Sequence, residues 1–145
     1  MNSVSRADIA AETRRWVGTP YAHQASVRQV GCDCLGLLRG VWRALRGAEP
    51  ERAPPYAPDW SIASREETLL IAARQYLVPA PSAPRCGDVL FFRWREGLPA
   101  AHVAILVSDE TFAHAHDGAE VAEVFYGPWW RRRLAAAFSF PGMID

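Results

Sequence analysis

The stretch Gly31-Cys32-Asp33-Cys34-Leu35-Gly36-Leu37-Leu38 is typical of a loop that turns into a helix. Asp33 is a good N-cap, and apolar residues follow it at helical spacing, at Leu35, Leu38, Trp42 and Leu45. Cys34 is therefore predicted to lie in the first helical turn, where backbone N–H groups favour the thiolate. A thiolate there can attack a carbonyl carbon if the fold brings a histidine to it.

Three histidines in the second half of the chain are candidates for that partner: His102, His114 and His116. His102 opens one predicted strand and the other two lie on the next, so side chains of an antiparallel pair can share a face there. A three-residue loop at 108–110 would place His116 opposite His102, whereas pairing centred on Ser108 would favour His114. The residue pattern leaves both registers open.

Along the whole chain, the residue pattern predicts helices followed by strands. Helices are predicted from about Arg6 to Val17, from Cys34 to about Arg46 with Gly47 ending it, and from a capping box at Ser64 to about Leu77. The proline-rich stretch from Pro50 to Pro58 is predicted to be an irregular surface loop. Strands are predicted at 88–93, 102–107, 111–115, 121–126 and 135–140, separated by turn residues. This order predicts an α+β fold with an antiparallel sheet.

Length and composition predict a single domain over residues 1–145. Half of the residues are hydrophobic, and 16 basic side chains balance 16 acidic ones. A zero net charge argues against direct binding of nucleic acid. The segment Trp129–Arg133 is the local exception, interpreted either as a solvated basic turn or as a docking patch away from the candidate site.

The N-terminal segment is polar, and no apolar run suits a signal sequence or a membrane span, so we expect synthesis in the cytoplasm without a signal peptide and no membrane insertion. Three cysteines argue against a disulfide scaffold. A zinc site built from cysteine and histidine is a weaker alternative, because the Cys32-x-Cys34 step is tighter than usual ligand spacing. Cys32 and Cys86 are interpreted as small buried residues.

Several motifs in this order resemble those of the NlpC-type cell-wall cysteine peptidases, a papain-like family. The motifs are Gly18-Thr19-Pro20-Tyr21, Asp33-Cys34-Leu35-Gly36, the strand 87–92, His102 to Val107, and Phe112 to Ala115. The resemblance implies N-terminal helices, with the nucleophile helix packed on an antiparallel sheet. It also implies Cys34 as nucleophile, His102 as base and His114 as the orienting residue, with no cofactor or metal. Tyr21, Asp33 and His116 are implied at the oxyanion or substrate side of the site.

The resemblance further implies a substrate: the stem peptide of peptidoglycan, cut between γ-D-glutamate and diaminopimelate. The chain resembles in particular the branch found in phage tail gene clusters and gene transfer agents. We therefore expect tail-tip or baseplate partners, a place in a virion or gene-transfer-agent tail, and action in the periplasm of the recipient cell. The alternatives are a lysis-associated amidase or endolysin and a non-catalytic tail-structural protein. Leu35 departs from the family pattern, which has serine after the cysteine. Cys86 lies in the loop before the first long strand, where a residue without a thiol is expected.

Overall fold

The computed structural model describes residues 3–50, 66–81 and 83–145. Its helices and strands, in chain order, are β1 (Val4–Ser5), α1 (Arg6–Arg14), β2 (Ser26–Val27), β3 (Gly31–Cys32), α2 (Cys34–Arg46), α3 (Thr68–Tyr76), β4 (Val78–Pro79), β5 (Val89–Phe92), β6 (His102–Leu106), β7 (Thr111–His114), β8 (Ala122–Phe125), α4 (Pro128–Arg131), β9 (Leu134–Ser139) and β10 (Met143–Ile144).

The main sheet has six strands in the order β4-β9-β5-β6-β7-β8, and every neighbouring pair in it is antiparallel. A short parallel pair joins β1 to β10, and an antiparallel pair joins β2 to β3. The predicted α+β class with an antiparallel sheet is confirmed. Among the residues that the structure describes, none of the helices has the length and apolar character needed to cross a membrane.

Helix α1 begins where the sequence predicts and ends earlier. The Ser5 hydroxyl accepts from the Asp8 N–H at 3.0 Å, and the Ser5 N–H donates to the Asp8 carboxylate at 2.9 Å, which is a reciprocal capping box. Extension of the helix to Val17 is wrong. The chain tightens into i→i+3 hydrogen bonds after Arg14, and Val17 is 40% exposed.

Helix α2 has the predicted bounds, but a different face of it meets the core. Its fully buried side chains are Leu37 and Val41, while the predicted face, Leu35, Leu38, Trp42 and Leu45, is only half-buried. Two glycines explain the difference. A Cβ on Gly36 would lie 1.9 Å from the Ala25 carbonyl oxygen, and one on Gly40 would lie 2.1 Å from the Trp16 ring. The glycines let neighbouring backbone and indole approach the helix axis, so the core forms beside them.

Helix α3 is observed at the predicted place for the part of the chain that is described. Its predicted cap, Ser64, lies outside the described residues, as does most of the predicted loop from Pro50 to Pro58. The half-buried face of α2 and one face of α3 enclose an apolar cavity of about 270 Å³. Leu35 lines this cavity, which gives the unexpected leucine a packing role.

The central strands of the main sheet, β5, β6 and β7, are buried on both faces. Val89, Phe91, Val103 and Ile105 pack towards the helices, whereas Leu90, Phe92, Ala104, Leu106 and Phe112 form a second apolar cluster on the opposite face. Trp130 of α4 packs on that second cluster. Burial on both faces explains why the central strands read as continuous apolar runs.

Candidate active site

Cys34 is the first residue of α2, as predicted, and Asp33 is its N-cap. The buried Asp33 carboxylate accepts hydrogen bonds from the Gly36 N–H and the Gln24 N–H, each at 2.7 Å. His23 adds a weaker contact, with its Nδ1 3.9 Å from the same carboxylate. These contacts identify Asp33 as a cap that also fixes the loop before the helix.

The Cys34 thiol lies against strand β6. Backbone N–H groups of Val103 and Leu35 bond to the sulfur and lower its pKa, but burial outweighs them, and the charge of Asp33 adds to the effect of burial. The result raises the pKa of Cys34 to about 11. The N–H groups thus act in the predicted direction, but desolvation disfavours the charged sulfur more than they favour it, so the resting thiol stays protonated at neutral pH.

His102 and His114 form a hydrogen-bonded pair, with 2.8 Å between His102 Nε2 and His114 Nδ1. The β6–β7 register pairs Ile105 with Ala113 and Leu106 with Phe112, which corresponds to the three-residue loop. That register continued along the strands would set His116 opposite His102. The ladder stops at Ile105, however, and His102 reaches diagonally to His114 on the same face.

An aromatic shell surrounds the histidine pair. The Trp94 ring stacks on His102, with centroids 5.1 Å apart and planes at 29°. Trp130 lies 6.0 Å from the His102 ring and 5.4 Å from the His114 ring, and Phe92 lies on the same side at 6.3 Å from His102. The interpretation of Trp129–Arg133 as a surface away from the site is wrong for Trp130.

Neither shell tryptophan was singled out from the sequence as a site residue. Trp94 lies two residues after Phe92, and Phe92 is the register partner of His102. Alternation along the strand would have placed Trp94 on the histidine side, had the pairing been known.

The histidine pair is held in its neutral form. Burial, with the neighbouring His114 and His116 rings adding to it, lowers the pKa of His102 to about 3. Burial and His116 lower the pKa of His114 to about 4. At neutral pH the Cys34 thiol is thus protonated and the two imidazoles are uncharged.

Acid is expected to destabilise the fold through these two buried histidines. The folded pKa values lie below the ordinary 6.5, so between pH 6.5 and about 4 the unfolded chain binds more protons and stability falls as pH falls. Each histidine contributes up to about 1.4 kcal/mol per pH unit in that window. Urea unfolding at pH 7 and pH 5 should show a smaller loss for His102→Gln than for the wild type. Equal losses in the two proteins would contradict the neutral pair.

Tyr21 lies near the Cys34 thiol, and His116 lies beside the histidine pair. Burial raises the pKa of Tyr21 to about 12, and the negative charges of Asp33 and a Cys34 thiolate act in the same direction, which places its phenol in their field. Its hydroxyl therefore stays protonated and able to donate. The exposed His116 ring stacks on His114 with centroids 5.9 Å apart, and so forms the rim of the site.

The other two cysteines differ from Cys34 in their surroundings. Cys32 is fully buried in the core, Cys86 is partly buried beside Arg6, and all three thiols are free. Within residues 3–50, 66–81 and 83–145, no three histidine, cysteine or carboxylate side chains cluster in a way that could hold a metal ion.

Known proteins resemble this chain over most of its length. A "Probable endopeptidase" of Haemophilus influenzae is 23% identical over 125 residues, which are 86% of this chain and 68% of that protein. The crystal structure of the NlpC/p60 domain of peptidoglycan hydrolase SagA has a TM-score of 0.65 at 24% identity, covering 94% of this chain and 100% of that domain. An NlpC/P60 family protein from Bacillus cereus has a TM-score of 0.69 at 18% identity, covering 96% of this chain and 41% of the other.

The two structures share the fold described above, with helices packed on an antiparallel sheet. The sequence profile of the NlpC/P60 family matches residues 18–139, a span that begins at the Gly18 motif and includes Cys34, His102 and His114. The chain belongs to the NlpC/P60 family.

Proposed function

We propose that the chain is a cysteine peptidase that hydrolyses an amide bond in the stem peptide of peptidoglycan. The observation that supports this best is the His102–His114 hydrogen bond. It lies at the start of β6, where the N–H of the next residue, Val103, bonds to the Cys34 thiol. A thiol nucleophile, an adjacent imidazole base and a third group that orients the base are the parts that acyl transfer to cysteine requires.

The tautomers of the two histidine rings follow from their hydrogen bond together with the role of His102 as the base. To accept the thiol proton, His102 must present a lone pair at Nδ1, so its proton sits on Nε2 and is donated to His114 Nδ1. His114 then carries its own proton on Nε2. When His102 becomes the imidazolium, the same Nε2–H bond to His114 remains, so no ring has to turn between the steps.

The reaction begins from the neutral pair. Cys34 transfers its proton to His102 as sulfur attacks the amide carbonyl, and His102 then protonates the leaving amine as the C–N bond breaks. Water hydrolyses the resulting thioester by the reverse transfer. Burial disfavours an ion pair at rest, so the charge separation arises only as the substrate reacts.

Two donors are available for the oxyanion. The Cys34 N–H lies at the start of α2, where helix N–H groups lack intrahelical acceptors, and the Tyr21 hydroxyl stays protonated near the sulfur. Backbone hydrogen bonds hold the Tyr21 loop: the Tyr21 N–H donates to the Ala119 carbonyl at 3.1 Å.

Peptidoglycan as substrate is inferred from family membership, from the Haemophilus "Probable endopeptidase" and from the peptidoglycan hydrolase SagA, whose NlpC/p60 domain has a similar fold. The bond between γ-D-glutamate and diaminopimelate is the expected cut. Purified peptidoglycan should be incubated with the chain and the released muropeptides identified by mass spectrometry. New amino termini at diaminopimelate support this cut, termini elsewhere in the stem redefine the bond, and intact stems contradict peptidase activity.

His114→Ala is expected to lower kcat roughly 10- to 100-fold, because the His102 ring would lose the acceptor that fixes its tautomer. His116→Ala should change kcat less than about threefold, since His116 is an exposed rim residue without that bond. Steady-state kinetics on a soluble stem peptide compares the two. A larger loss in His116→Ala would show that the rim histidine orients the base.

Delivery on a phage-like tail tip is the second part of the proposal. It rests on the resemblance to tail-encoded enzymes and on two exposed aromatic side chains, Phe125 and Trp129, which are 63% and 46% exposed. Exposed aromatic side chains of this kind suit a protein partner. Purified particles should contain the chain in fixed stoichiometry, and particles carrying Cys34→Ala should adsorb but transfer DNA poorly. A chain found only in the lysate would instead support a lysis enzyme.

A further inference from the structure

One carboxylate joins the two ends of the loop between β5 and β6, residues 93–101. Glu67, at the start of α3, accepts a hydrogen bond from the Ala100 N–H at 2.8 Å through one oxygen and pairs with the Arg93 guanidinium through the other. Arg93 also donates to the Leu98 carbonyl at 2.8 Å, inside the same loop. Together these three contacts tie both ends of the loop to Glu67, and we call them the Glu67 bracket.

The bracketed loop carries two groups of the site. Its first end leads from Phe92 through Arg93 to Trp94, whose ring stacks on His102. Its other end runs from Ala100 to His102 itself, and the Ala101 N–H donates to the Phe92 carbonyl at 2.9 Å. A shift at either bracket point therefore changes how the two rings meet.

The carboxylate is suited to hold this loop. Burial alone would raise the pKa of Glu67, but the Ala100 N–H and the Arg93 guanidinium outweigh it, so the pKa lies below its usual range and the group is ionised at neutral pH. One charged acceptor thus serves a backbone donor and a guanidinium together, which is stronger than two neutral bonds.

We propose that Glu67 is a positioning residue for His102, acting through the loop 93–101 to set the Trp94–His102 stack and the ring orientation of the base. This rests on the proposed role of His102 as the base. Glu67 contacts neither the thiol nor the histidine pair, so its effect on the reaction is transmitted by the backbone of the loop.

The test uses two substitutions of Glu67 and one matched control. Glu67→Ala removes both contacts, whereas Glu67→Gln keeps a neutral acceptor for Ala100 and loses the ion pair. The control is Glu49→Gln. Glu49 also pairs with two guanidinium groups, those of Arg39 at 2.6 Å and Arg43 at 3.1 Å, but both arginines lie on α2, away from the loop. Kinetics on the stem peptide is combined with ¹⁵N spectra of the His102 ring, which report its tautomer.

Glu67→Ala is expected to lower kcat roughly 10- to 100-fold with little change in KM, and to replace the single Nε2–H tautomer by a mixture. Glu67→Gln should give a kcat below that of the wild type and above that of Glu67→Ala, because it loses the ion pair with Arg93 and keeps only a neutral acceptor for Ala100. Glu49→Gln should match the wild type in both measurements. Wild-type kcat and tautomer in Glu67→Ala, with Cys34→Ala inactive, would overturn the positioning role and leave the proposed function intact. If Glu67→Ala does not fold, Glu67→Gln decides: a Gln variant with full kcat and one tautomer makes the ion pair dispensable and overturns the bracket.

Discussion

Replacing Cys34 by alanine is expected to abolish hydrolysis while leaving the fold intact. The nucleophile has no substitute at the site, so we expect a loss of roughly 10⁵-fold or more in kcat, as for removal of a nucleophile that acts in one unit with its base. The fold should persist because the change removes one sulfur atom at a partly exposed position and leaves the Asp33 cap and the helix hydrogen bonds in place. Muropeptide release and circular dichroism measure the two properties.

The other two thiols provide matched controls. Cys86→Ser alters a thiol beside Arg6, and Cys32→Ala alters one that is buried in the core; neither is the first residue of α2. Both variants should retain activity per folded molecule, although Cys32→Ala leaves a small cavity that costs stability. Hydrolysis by Cys34→Ala at a rate near the wild type would refute the assignment of the nucleophile.

His102→Ala is expected to have the second largest effect. A positioned base contributes typically 10²- to 10⁴-fold to a reaction, and here the thiol depends on it, since burial raises the pKa of Cys34 to about 11 and leaves almost no thiolate at neutral pH. We expect a loss of kcat at the upper end of that range. Alkylation of Cys34 by iodoacetamide, which needs the same deprotonation, should slow in parallel at pH 7.

The pH dependence of alkylation distinguishes a base from a merely structural histidine. As the pH approaches about 11 the thiol ionises without help, so the rates of the wild type and His102→Ala should converge. A constant ratio of the two rates across this range would show that His102 acts on access to the thiol. A wild-type rate that is already maximal at pH 7 would show that the helix start stabilises the thiolate after all.

Short-range chemistry explains why much of this site was predictable from sequence. The Asp33 cap, Cys34 as first helical residue and Gly47 as the end of α2 depend on groups within a few residues of each other, and all three were predicted as observed. The selection of His114 over His116 as the orienting residue came from the resemblance and stays a prediction; in the structure His102 is hydrogen-bonded to His114. The family was recognised for a similar reason, since its motifs are local stretches in a fixed order.

The pKa values of the site and the core face of α2 depend on groups that are distant in sequence. Desolvation sets the pKa of Cys34 and His102, and burial is a property of the packed chain. The helix-start argument therefore gave the effect of the N–H groups on the Cys34 pKa but not the larger, opposite effect of burial. The core face of α2 depended on where Trp16 and Ala25 approach it, which no periodicity within the helix encodes.

The sequence by itself determined the fold class and the helix that begins at Cys34, and it supplied the candidate histidines, because each depends on local pattern or on ordered motifs. Only the tertiary structure decided that His102 reaches His114 diagonally, that Trp94 and Trp130 enclose the pair, and that Glu67 brackets the loop between β5 and β6. The physical reason is that register, ring stacking and the partner of a charged side chain are fixed by strands and helices meeting across long stretches of chain, and a single strand or helix read alone contains no record of its neighbour.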